Sequence, residues 1–415
     1  MAKGNDYQSL TKGLLFALLL DRLFPSNFWG VGKSVSPRDE PAQYYSDRQY
    51  HPTIPYYPSI TVTYLICRAI YKLIRYATFP LFEEILEELK KHYDPSIGCY
   101  GSIVIKPPLL DTYEVQCKIR HTANALRLKL MFRDIDKTFF NALNYILSKV
   151  SSDGGWPAAP DSKESDPYTT AIVLSTLQMI VDNADLLWEE GLPDKTVQRI
   201  RIYIRRGVNF LKQFFKEKRF WYFITAKRKG KFIIHTARVL GEFPHLWKYD
   251  KDLFKKALNV ILSYKKEDGW PEMPGEAPTI EATITVSWSL FNVLRLIDDS
   301  TLKDTVKKVA QEGLNTVMDH LLSRLKRGEE VIMYNVEIAF LLELMGALHD
   351  IKISPDEALL ILNKSDEMLR AHKAGKIRDE REIKNMIPKE YQFVWPIVAK
   401  WLGIRKGTKK FVLLL

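Results

Sequence analysis

The sequence repeats one of its own segments, and this repeat constrains the fold more than any other feature. Residues 143–157, LNYILSKVSSDGGWP, match residues 258–271, LNVILSYKKEDGWP, with a single deletion. The match extends outward, because IRHTANALRL at 119–128 pairs with IIHTARVLGE at 233–242. The spacing is nearly constant: His121 lies 114 residues before His235, Trp156 lies 114 before Trp270, and Thr170 lies 113 before Thr283. Such a fixed period is typical of repeat architectures.

A smaller unit lies within this repeat. An aromatic residue is followed 13 to 22 residues later by a threonine that opens an apolar run of helical period, in the pairs Tyr100/Thr122, Trp156/Thr170, Trp221/Thr236 and Trp270/Thr283. Each unit of about 50 residues is therefore predicted to be an outer helix, a turn with an aromatic, a polar loop and an inner helix. Residues 58–74 and 334–348 resemble two more inner helices. Six inner helices are then predicted to start near residues 59, 122, 170, 236, 283 and 337.

These units predict an all-α fold. A helical hairpin cannot bury its apolar face alone, so hairpins must stack openly or close on themselves. Strand signals are nearly absent, and small or hydroxyl residues begin the inner segments, which lets helix ends converge around an axis. We therefore predict one (α/α)6 toroid at residues 51–350. An N-terminal helix with an aromatic- and proline-rich lead-in precedes it at 1–50, and a charged helical extension follows at 351–415.

Composition favours a globular chain in a reducing compartment. Apolar residues make up 46% and charged residues 27%, which is enough apolar material for a core. The apolar run at 13–20, GLLFALLL, is too short to span a bilayer; we predict a buried or surface-lying helix, with peripheral membrane contact as the alternative. Cys67, Cys99 and Cys117 form no C-x-x-C pair and suggest no disulfide framework, so the cytoplasm is the expected location.

The net charge of +11 favours anionic partners. Diphosphates, nucleic acid and an anionic membrane face all fit this charge, although a solvated lysine-rich surface explains it as well. The basic stretches carry no known nucleic-acid motif, so nucleic acid is the least favoured of these partners.

The turn and the helix start together resemble a known repeat. A DGGW turn, a polar loop and a D-x-x-x-T-A helix start are similar to the repeat of the terpenoid cyclase and protein prenyltransferase toroids, over roughly residues 50–350. The nearest members are squalene-hopene-type class II cyclases and prenyltransferase beta subunits. The resemblance implies a central cavity lined by aromatics that opens at the amino ends of the inner helices. It also implies that Trp156 and Trp270 are largely structural.

The acid motif of the class II cyclases is only partly present. The D-x-D-D-T-A motif falls on residues 166–171, DPYTTA, which keeps Asp166 and the Thr-Ala pair. Tyr168 stands where the family has its alkene-protonating Asp, and a phenol with a pKa of about 10 is a poor donor. The sister copy has Glu281 at the same place, and a neutral glutamic acid in an apolar cavity is a feasible donor. The candidate catalytic residues are therefore Glu281, Tyr168 and Asp166.

The zinc site of the prenyltransferases is not matched either. That site needs Asp, Cys and His, and no D-x-C with a suitable His occurs here. Cys117 and His121 are spaced i, i+4 and could share a helix face, with His235 as a third metal ligand. A buried cysteine and two rim histidines are the favoured interpretation, so no metal and no cofactor are predicted.

The first turns of the inner helices supply the candidate ligand-binding residues. Superposing the helix starts places Arg120 and Tyr168 in one ring with Glu281, and His121, Thr169 and His235 in a second. Converging helix amino ends favour anions. We predict that Arg120, His121, His235 and Thr169 bind the anionic end of an apolar ligand; the alternative is an internal Arg120–Glu281 ion pair with capping histidines.

Three classes of function remain open. The first is an isoprenoid-related cyclase or transferase. The second is a non-catalytic toroid that binds an apolar ligand, a peptide or a partner protein, which loss of both catalytic sets would favour. The third is an (α/α)6 carbohydrate lyase or hydrolase, which would use aromatics to stack sugars and paired carboxylates as acid and base.

Overall fold

The computed structural model describes residues 2–21, 29, 59–75, 78–105, 113–222, 233–329, 331, 333 and 335–402. Residues 22–28 and 30–50, which include the predicted lead-in, lie outside this set. The chain divides into two compact units: unit 1 comprises Met1–Ile85, Val104–Tyr113 and Asn315–Leu415, and unit 2 comprises Leu86–Ile103 and Glu114–Leu314. The division into three parts predicted from the sequence remains a prediction.

Helices dominate the described residues. In chain order they are α1 (Ala2–Leu20), α2 (Ile60–Ile74), α3 (Pro80–Lys91), α4 (Ile119–Phe132), α5 (Lys137–Ser148), α6 (Pro167–Asp182), α7 (Ala184–Glu189), α8 (Asp194–Lys218), α9 (Ile233–Glu242), α10 (Leu246–Tyr249), α11 (Lys251–Ser263), α12 (Ile280–Leu294), α13 (Ser300–Lys326), α14 (Asn335–Leu348), α15 (Pro355–Lys373), α16 (Glu380–Met386) and α17 (Trp395–Trp401). A 3-10 helix occupies Lys389–Val394. Three strands precede α4: β1 (Tyr93–Asp94), β2 (Cys99–Ile105) and β3 (Tyr113–Cys117).

Unit 2 consists largely of inner and outer helices that alternate along the chain. The inner helix α6 packs against α4 and α9, and α9 packs against α12. The outer helices α5, α8 and α11 pack against α4, α6 and α9. The two kinds differ in pattern. Outer helix α8 buries one stripe that includes Ile200, Ile204 and Leu211, whereas most of inner helix α6 is buried. A one-sided stripe is expected of a surface helix, and burial all round of a core helix.

Unit 1 encloses the apolar N-terminal run. Helix α1 packs against α14, α15, the 3-10 helix and α17, and Leu14 to Leu20 are at most 3% exposed. The Nζ of Lys12 lies 2.6 Å from a carboxylate oxygen of Glu357 and 2.6 Å from one of Glu390, which compensates a buried ammonium group. The run is thus buried, as one of the two sequence interpretations held. No described helix has the length and hydropathy needed to cross a membrane.

An aromatic–threonine clamp recurs at the start of the inner helices. In each copy the backbone N–H of the aromatic donates a hydrogen bond to Oγ1 of the threonine in the first turn or two of the next inner helix. The described pairs are Trp29/Thr63 (3.2 Å), Tyr100/Thr122 (3.0 Å), Trp156/Thr170 (2.9 Å), Trp221/Thr236 (3.1 Å) and Trp270/Thr283 (3.0 Å). The sequence analysis predicted the inner helix of the first of these pairs but not its aromatic residue.

The indole of each clamp tryptophan makes a second bond. Its Nε1–H donates to a carbonyl near the end of the preceding outer helix, in the pairs Trp29/Leu18 (2.7 Å), Trp156/Ile146 (2.9 Å), Trp221/Leu211 (2.9 Å) and Trp270/Ile261 (3.0 Å). All four tryptophans are fully buried. One residue therefore ties two consecutive helices together, which confirms the structural role predicted for Trp156 and Trp270. The repeat in the sequence encodes this clamp.

The glycine of the turn has a steric reason. Gly269 has φ +120°, in the region that favours glycine, and a Cβ there would collide with Oγ1 of Thr283. In the sister turn Oδ1 of Asp153 accepts hydrogen bonds from the Gly155 N–H (2.9 Å) and the Ser165 hydroxyl (2.7 Å). A side chain at Gly269 would displace the clamp threonine, Thr283.

Two features of unit 2 correct the sequence analysis. Strand β2 pairs antiparallel with β1 and lies next to β3 in a three-stranded sheet, although strand signals were judged nearly absent. Cys99 and Cys117 form a disulfide, although three cysteines suggested none. The pairing depends on neighbouring strands that bring two Cα atoms to 5.8 Å across 18 residues of chain, a distance suited to a disulfide. Sequence spacing does not show this proximity.

Candidate functional site

The first turns of inner helices α4, α6, α9 and α12 carry the predicted site residues, all within unit 2. Asp166 is the N-cap of α6, and its Oδ1 accepts hydrogen bonds from the Thr169 N–H (2.7 Å) and hydroxyl (2.7 Å). Thr279 caps α12 by accepting from the Ala282 N–H at 3.1 Å. Lys118 precedes α4 without a side-chain cap. Asp166 and Thr169 thus hold the helix start in place; their catalytic and ligand-binding roles remain predictions.

Two arginines flank the ring of Tyr168. The guanidinium carbon of Arg120 lies 5.9 Å from the ring centroid, and that of Arg238 lies 6.0 Å from it. Tyr168 is 4% exposed. Burial raises the pKa of its phenol, and the Glu242 carboxylate raises it further, against the opposing effect of the arginines. Tyr168 is therefore a neutral phenol at neutral pH, and the two cations hold its ring between α4 and α9.

Glu281 lies in the first turn of α12. Burial raises the pKa of its carboxyl group, the Glu272 carboxylate raises it further, and Arg238 opposes both. Arg238 is thus the cation that acts on Glu281, and no ion pair joins Arg120 to Glu281 among the described residues. The sequence analysis missed Arg238. It lies four residues after Ile234, which precedes Thr236 by two residues as Tyr168 precedes Thr170, so helical periodicity could have found it.

The two histidines are uncharged at neutral pH. Burial lowers the pKa of His121 well below its ordinary value, and Lys118 and Arg120 lower it further. Burial, helped by Arg238, lowers the pKa of His235 to about 3. The Nδ1 atom of His121 is enclosed without a hydrogen-bond partner among the described residues. The histidines can therefore offer N–H groups to a ligand but no positive charge.

A buried ion pair lies deeper in unit 2. Nη1 of Arg127 on α4 lies 2.9 Å from Oε2 of Glu242 on α9, and both side chains are almost fully enclosed, at 1% and 2% exposed. The same guanidinium donates to the Ile172 carbonyl (2.7 Å) and the Thr176 hydroxyl (3.0 Å) on α6. Three inner helices are thus joined by one arginine, and the charge is compensated by hydrogen bonds.

Unit 1 contains a similar pair. Nε of Arg68 on α2 lies 2.5 Å from Oε1 of Glu343 on α14, and Nζ of Lys72 lies 3.2 Å from Oε2. Arg68 follows Thr63 by five residues, as Arg127 follows Thr122. A charged residue five positions after the clamp threonine, in an otherwise apolar run, is the sequence signal for both pairs.

The described residues bring one set of possible metal ligands together. Ligand atoms of Asp94, Cys99 and Cys117 lie within 4.8 Å of one another. The set of Cys117, His121 and His235, which the sequence analysis considered and did not favour, does not come together as such a group in the part of the chain described. Cys117 is instead bonded to Cys99.

Comparison with known proteins identifies the class of fold. No family model matches the sequence, and no curated protein is detectably similar to it. The structure of an unsaturated glucuronyl hydrolase specific for heparin matches with a TM-score of 0.54 at 12% identity, over 85% of this chain and 100% of the hydrolase. The type II terpene cyclase MstE from Scytonema, in complex with merosterolic acid A, matches with a TM-score of 0.51 at 10% identity, over 84% and 99%.

A third structure matches only in part. ent-Copalyl diphosphate synthase from Streptomyces platensis gives a TM-score of 0.48 at 15% identity, over 70% of this chain. The chain spans half the length of that synthase, 50%. The hydrolase and MstE confirm the predicted fold class, an all-α fold of the α/α-toroid type. At these identities the likeness concerns the fold alone.

Proposed function

We propose that this chain binds an apolar, isoprenoid-type molecule with an anionic end, and that Arg120 and Arg238 hold that end. The observation that carries the proposal is the convergence of these two guanidinium groups on the buried ring of Tyr168. The helix amino ends beside them add partial positive charge. An anion placed there would meet two cations, while the neutral histidines would supply N–H donors.

Two observations support an apolar part of the ligand. The inner helices that carry the site are rich in buried apolar residues, including Trp288, which is fully buried on α12. MstE, which shares the fold, was solved with merosterolic acid A as its product. A cavity among such helices would hold hydrocarbon, with the charged end at the helix starts.

For catalysis we propose Glu281 as the proton donor. Its raised pKa keeps a fraction of the carboxyl group protonated at higher pH than an exposed glutamate would be. Tyr168, a neutral phenol, would donate a hydrogen bond to the ligand, and Asp166 would act by fixing the start of α6. Proton transfer from Glu281 would allow cyclisation; without it, the site would bind without turnover.

Calorimetric titration with farnesyl diphosphate tests the binding. Arg120→Gln and Arg238→Gln are each expected to weaken binding about tenfold or more, because each removes a charged hydrogen-bond donor. Arg199→Gln is the matched control. Arg199 also lies over a tyrosine ring, 5.4 Å from the centroid of Tyr203, but on the exposed face of α8. Unchanged affinity in both site variants would refute the proposal.

Product analysis separates a catalyst from a binding protein. Wild-type protein incubated with farnesyl diphosphate should convert it to a cyclised product, and Glu281→Gln should stop conversion while leaving affinity within about threefold, since an amide keeps the shape of the carboxyl group. Tight binding without any product in the wild type would favour the non-catalytic alternative.

A second candidate function is hydrolysis of an acidic carbohydrate. Glu272 and Glu281 are close enough for one carboxylate to raise the pKa of the other, and such pairs serve as acid and base in glycoside hydrolysis. The heparin-specific glucuronyl hydrolase shares the fold over its whole length. Loss of ultraviolet absorbance from an unsaturated heparin disaccharide, abolished by Glu281→Gln, would support this function; no change with the wild type would exclude it for that substrate.

A further inference from the structure

The clamp at Tyr100 differs from the four clamps that use tryptophan. In those four, the indole N–H reaches a carbonyl 9 to 11 residues earlier in the chain, on the preceding outer helix. A tyrosine has no ring N–H. The Tyr100 hydroxyl instead pairs with the Thr138 hydroxyl at 2.9 Å, on α5, which follows rather than precedes. The link to the helix before it is made by the backbone instead, because the Gly101 N–H donates to the carbonyl of His92, directly after α3, at 3.0 Å.

A covalent bond occurs at the same place. Cys99 immediately precedes Tyr100, and Cys117 ends β3 directly before Lys118. The disulfide thus links the turn of the clamp to the residue next to the start of α4. Two hydrogen bonds to the Tyr100 carbonyl join the same two segments: the Lys118 N–H donates to it at 3.2 Å, and the Thr122 hydroxyl donates to it at 3.0 Å.

We propose that the Cys99–Cys117 disulfide holds the turn of this clamp against the start of α4, and that its reduction loosens the first turn of α4. Arg120 and His121 lie on that turn, three and four residues after Cys117. The order of this repeat would then depend on redox state. The order of the repeats with a tryptophan clamp would not. This inference is independent of which ligand the site takes.

The surroundings favour a persistent disulfide over a reactive dithiol. Cys99 is fully buried and Cys117 is half-buried, so an external thiol has limited access to one sulfur. The carboxylate of Asp94 lies within 4.8 Å of the sulfurs. A nearby negative charge disfavours the thiolate, which is the species that takes part in thiol–disulfide exchange.

The redox step is balanced by a small-molecule thiol couple. Two cysteine thiols lose two protons and two electrons to form the S–S bond, and a disulfide such as oxidised glutathione accepts them and becomes two thiols. Dithiothreitol reverses the step and is itself oxidised to its cyclic disulfide.

Thiol counting tests the bond itself. After treatment with oxidised glutathione, alkylation in denaturant should label one of the three cysteines, Cys67, and after reduction it should label all three. Three labelled cysteines after oxidation would overturn the proposal. Retention of zinc by the oxidant-treated protein through Asp94, Cys99 and Cys117, detected by elemental analysis, would overturn it too, because the two sulfurs would then be metal ligands.

Hydrogen exchange tests the consequence. Reduction should speed amide exchange in peptides covering residues 113–126 by on the order of a hundredfold, the factor that corresponds to the entropy of an 18-residue loop. Peptides covering residues 167–180, which begin at the Trp156 clamp, should not change. Cys117→Ser should exchange like the reduced protein with or without dithiothreitol, and Cys67→Ala should respond like the wild type. Equal exchange at residues 113–126 in both redox states would refute the tie.

Discussion

The clamp makes a quantitative prediction for Thr170→Val. Valine keeps the volume and branching of threonine but removes Oγ1, which accepts the Trp156 N–H at 2.9 Å. Both residues are fully buried, so water cannot replace the lost acceptor. A buried N–H left without a partner costs about 1–3 kcal/mol, and we expect the free energy of unfolding to fall by about 2 kcal/mol.

Two variants separate the hydrogen bond from packing. Thr170→Ser keeps the hydroxyl and loses one buried methyl group, and should cost about 1 kcal/mol. Thr305→Val removes a hydroxyl that bonds its own helix at 2.9 Å on an exposed face, and should cost less than about 0.5 kcal/mol. Because Thr283 clamps Trp270 in the same way at 3.0 Å, Thr283→Val should match Thr170→Val.

Urea unfolding followed by far-ultraviolet circular dichroism measures these differences from the shift in midpoint at constant slope. A loss below about 0.5 kcal/mol for both Thr170→Val and Thr283→Val would show that the clamp bond does not stabilise the fold. A larger loss of unfolding free energy for Thr170→Ser than for Thr170→Val would show that packing of the threonine methyl group, and not the hydrogen bond, stabilises the clamp.

Three further predictions concern charge, pH and the turn. Arg127→Met should lower the free energy of unfolding by about 3–5 kcal/mol because it leaves Glu242 buried without its partner, and adding Glu242→Leu should recover most of the loss; an additive double variant would contradict this. Burial lowers the pKa of His235 to about 3, below its ordinary 6.5, so the unfolded chain binds the extra proton between these values. Stability should therefore fall as pH drops below about 6.5, and His235→Gln should flatten that fall in urea midpoints measured across pH. Gly269→Ala should cost more than Gly191→Ala, since both glycines have positive φ but only Gly269 faces Thr283; equal midpoint shifts would mean that only backbone strain matters.

The parts of the fold that depend on local pattern could be predicted from the sequence. The period of 113 to 114 residues appears when two stretches of the sequence are compared. The apolar runs and the threonine at each inner helix start lie within single units. In the structure, the repeated tryptophan and threonine form the clamp bonds Trp156/Thr170 and Trp270/Thr283. Trp29 was missed because its copy, with Thr63, lies 34 residues apart instead of 13 to 22. The larger number of intervening residues hides the spacing without changing the bond.

The parts that depend on contacts between distant residues could not be predicted. The bond between Cys99 and Cys117 requires β2 and β3 to lie side by side, and the sequence does not show which strands are neighbours. The pairing of Arg127 with Glu242 joins positions 115 residues apart. The electrostatic partner of Glu281 is Arg238 and not Arg120, because the sequence gives helix registers but not which side chains turn toward each other.

The structure of a complex with an isoprenoid diphosphate analogue tests the proposed site most directly. Arg120 and Arg238 both lie over the ring of Tyr168, so a crystal structure with farnesyl thiodiphosphate should place diphosphate oxygens within hydrogen-bonding distance of both guanidinium groups, with the hydrocarbon among the inner helices. A diphosphate bound elsewhere on the chain, with both arginines still turned only toward the tyrosine, would contradict the proposed site.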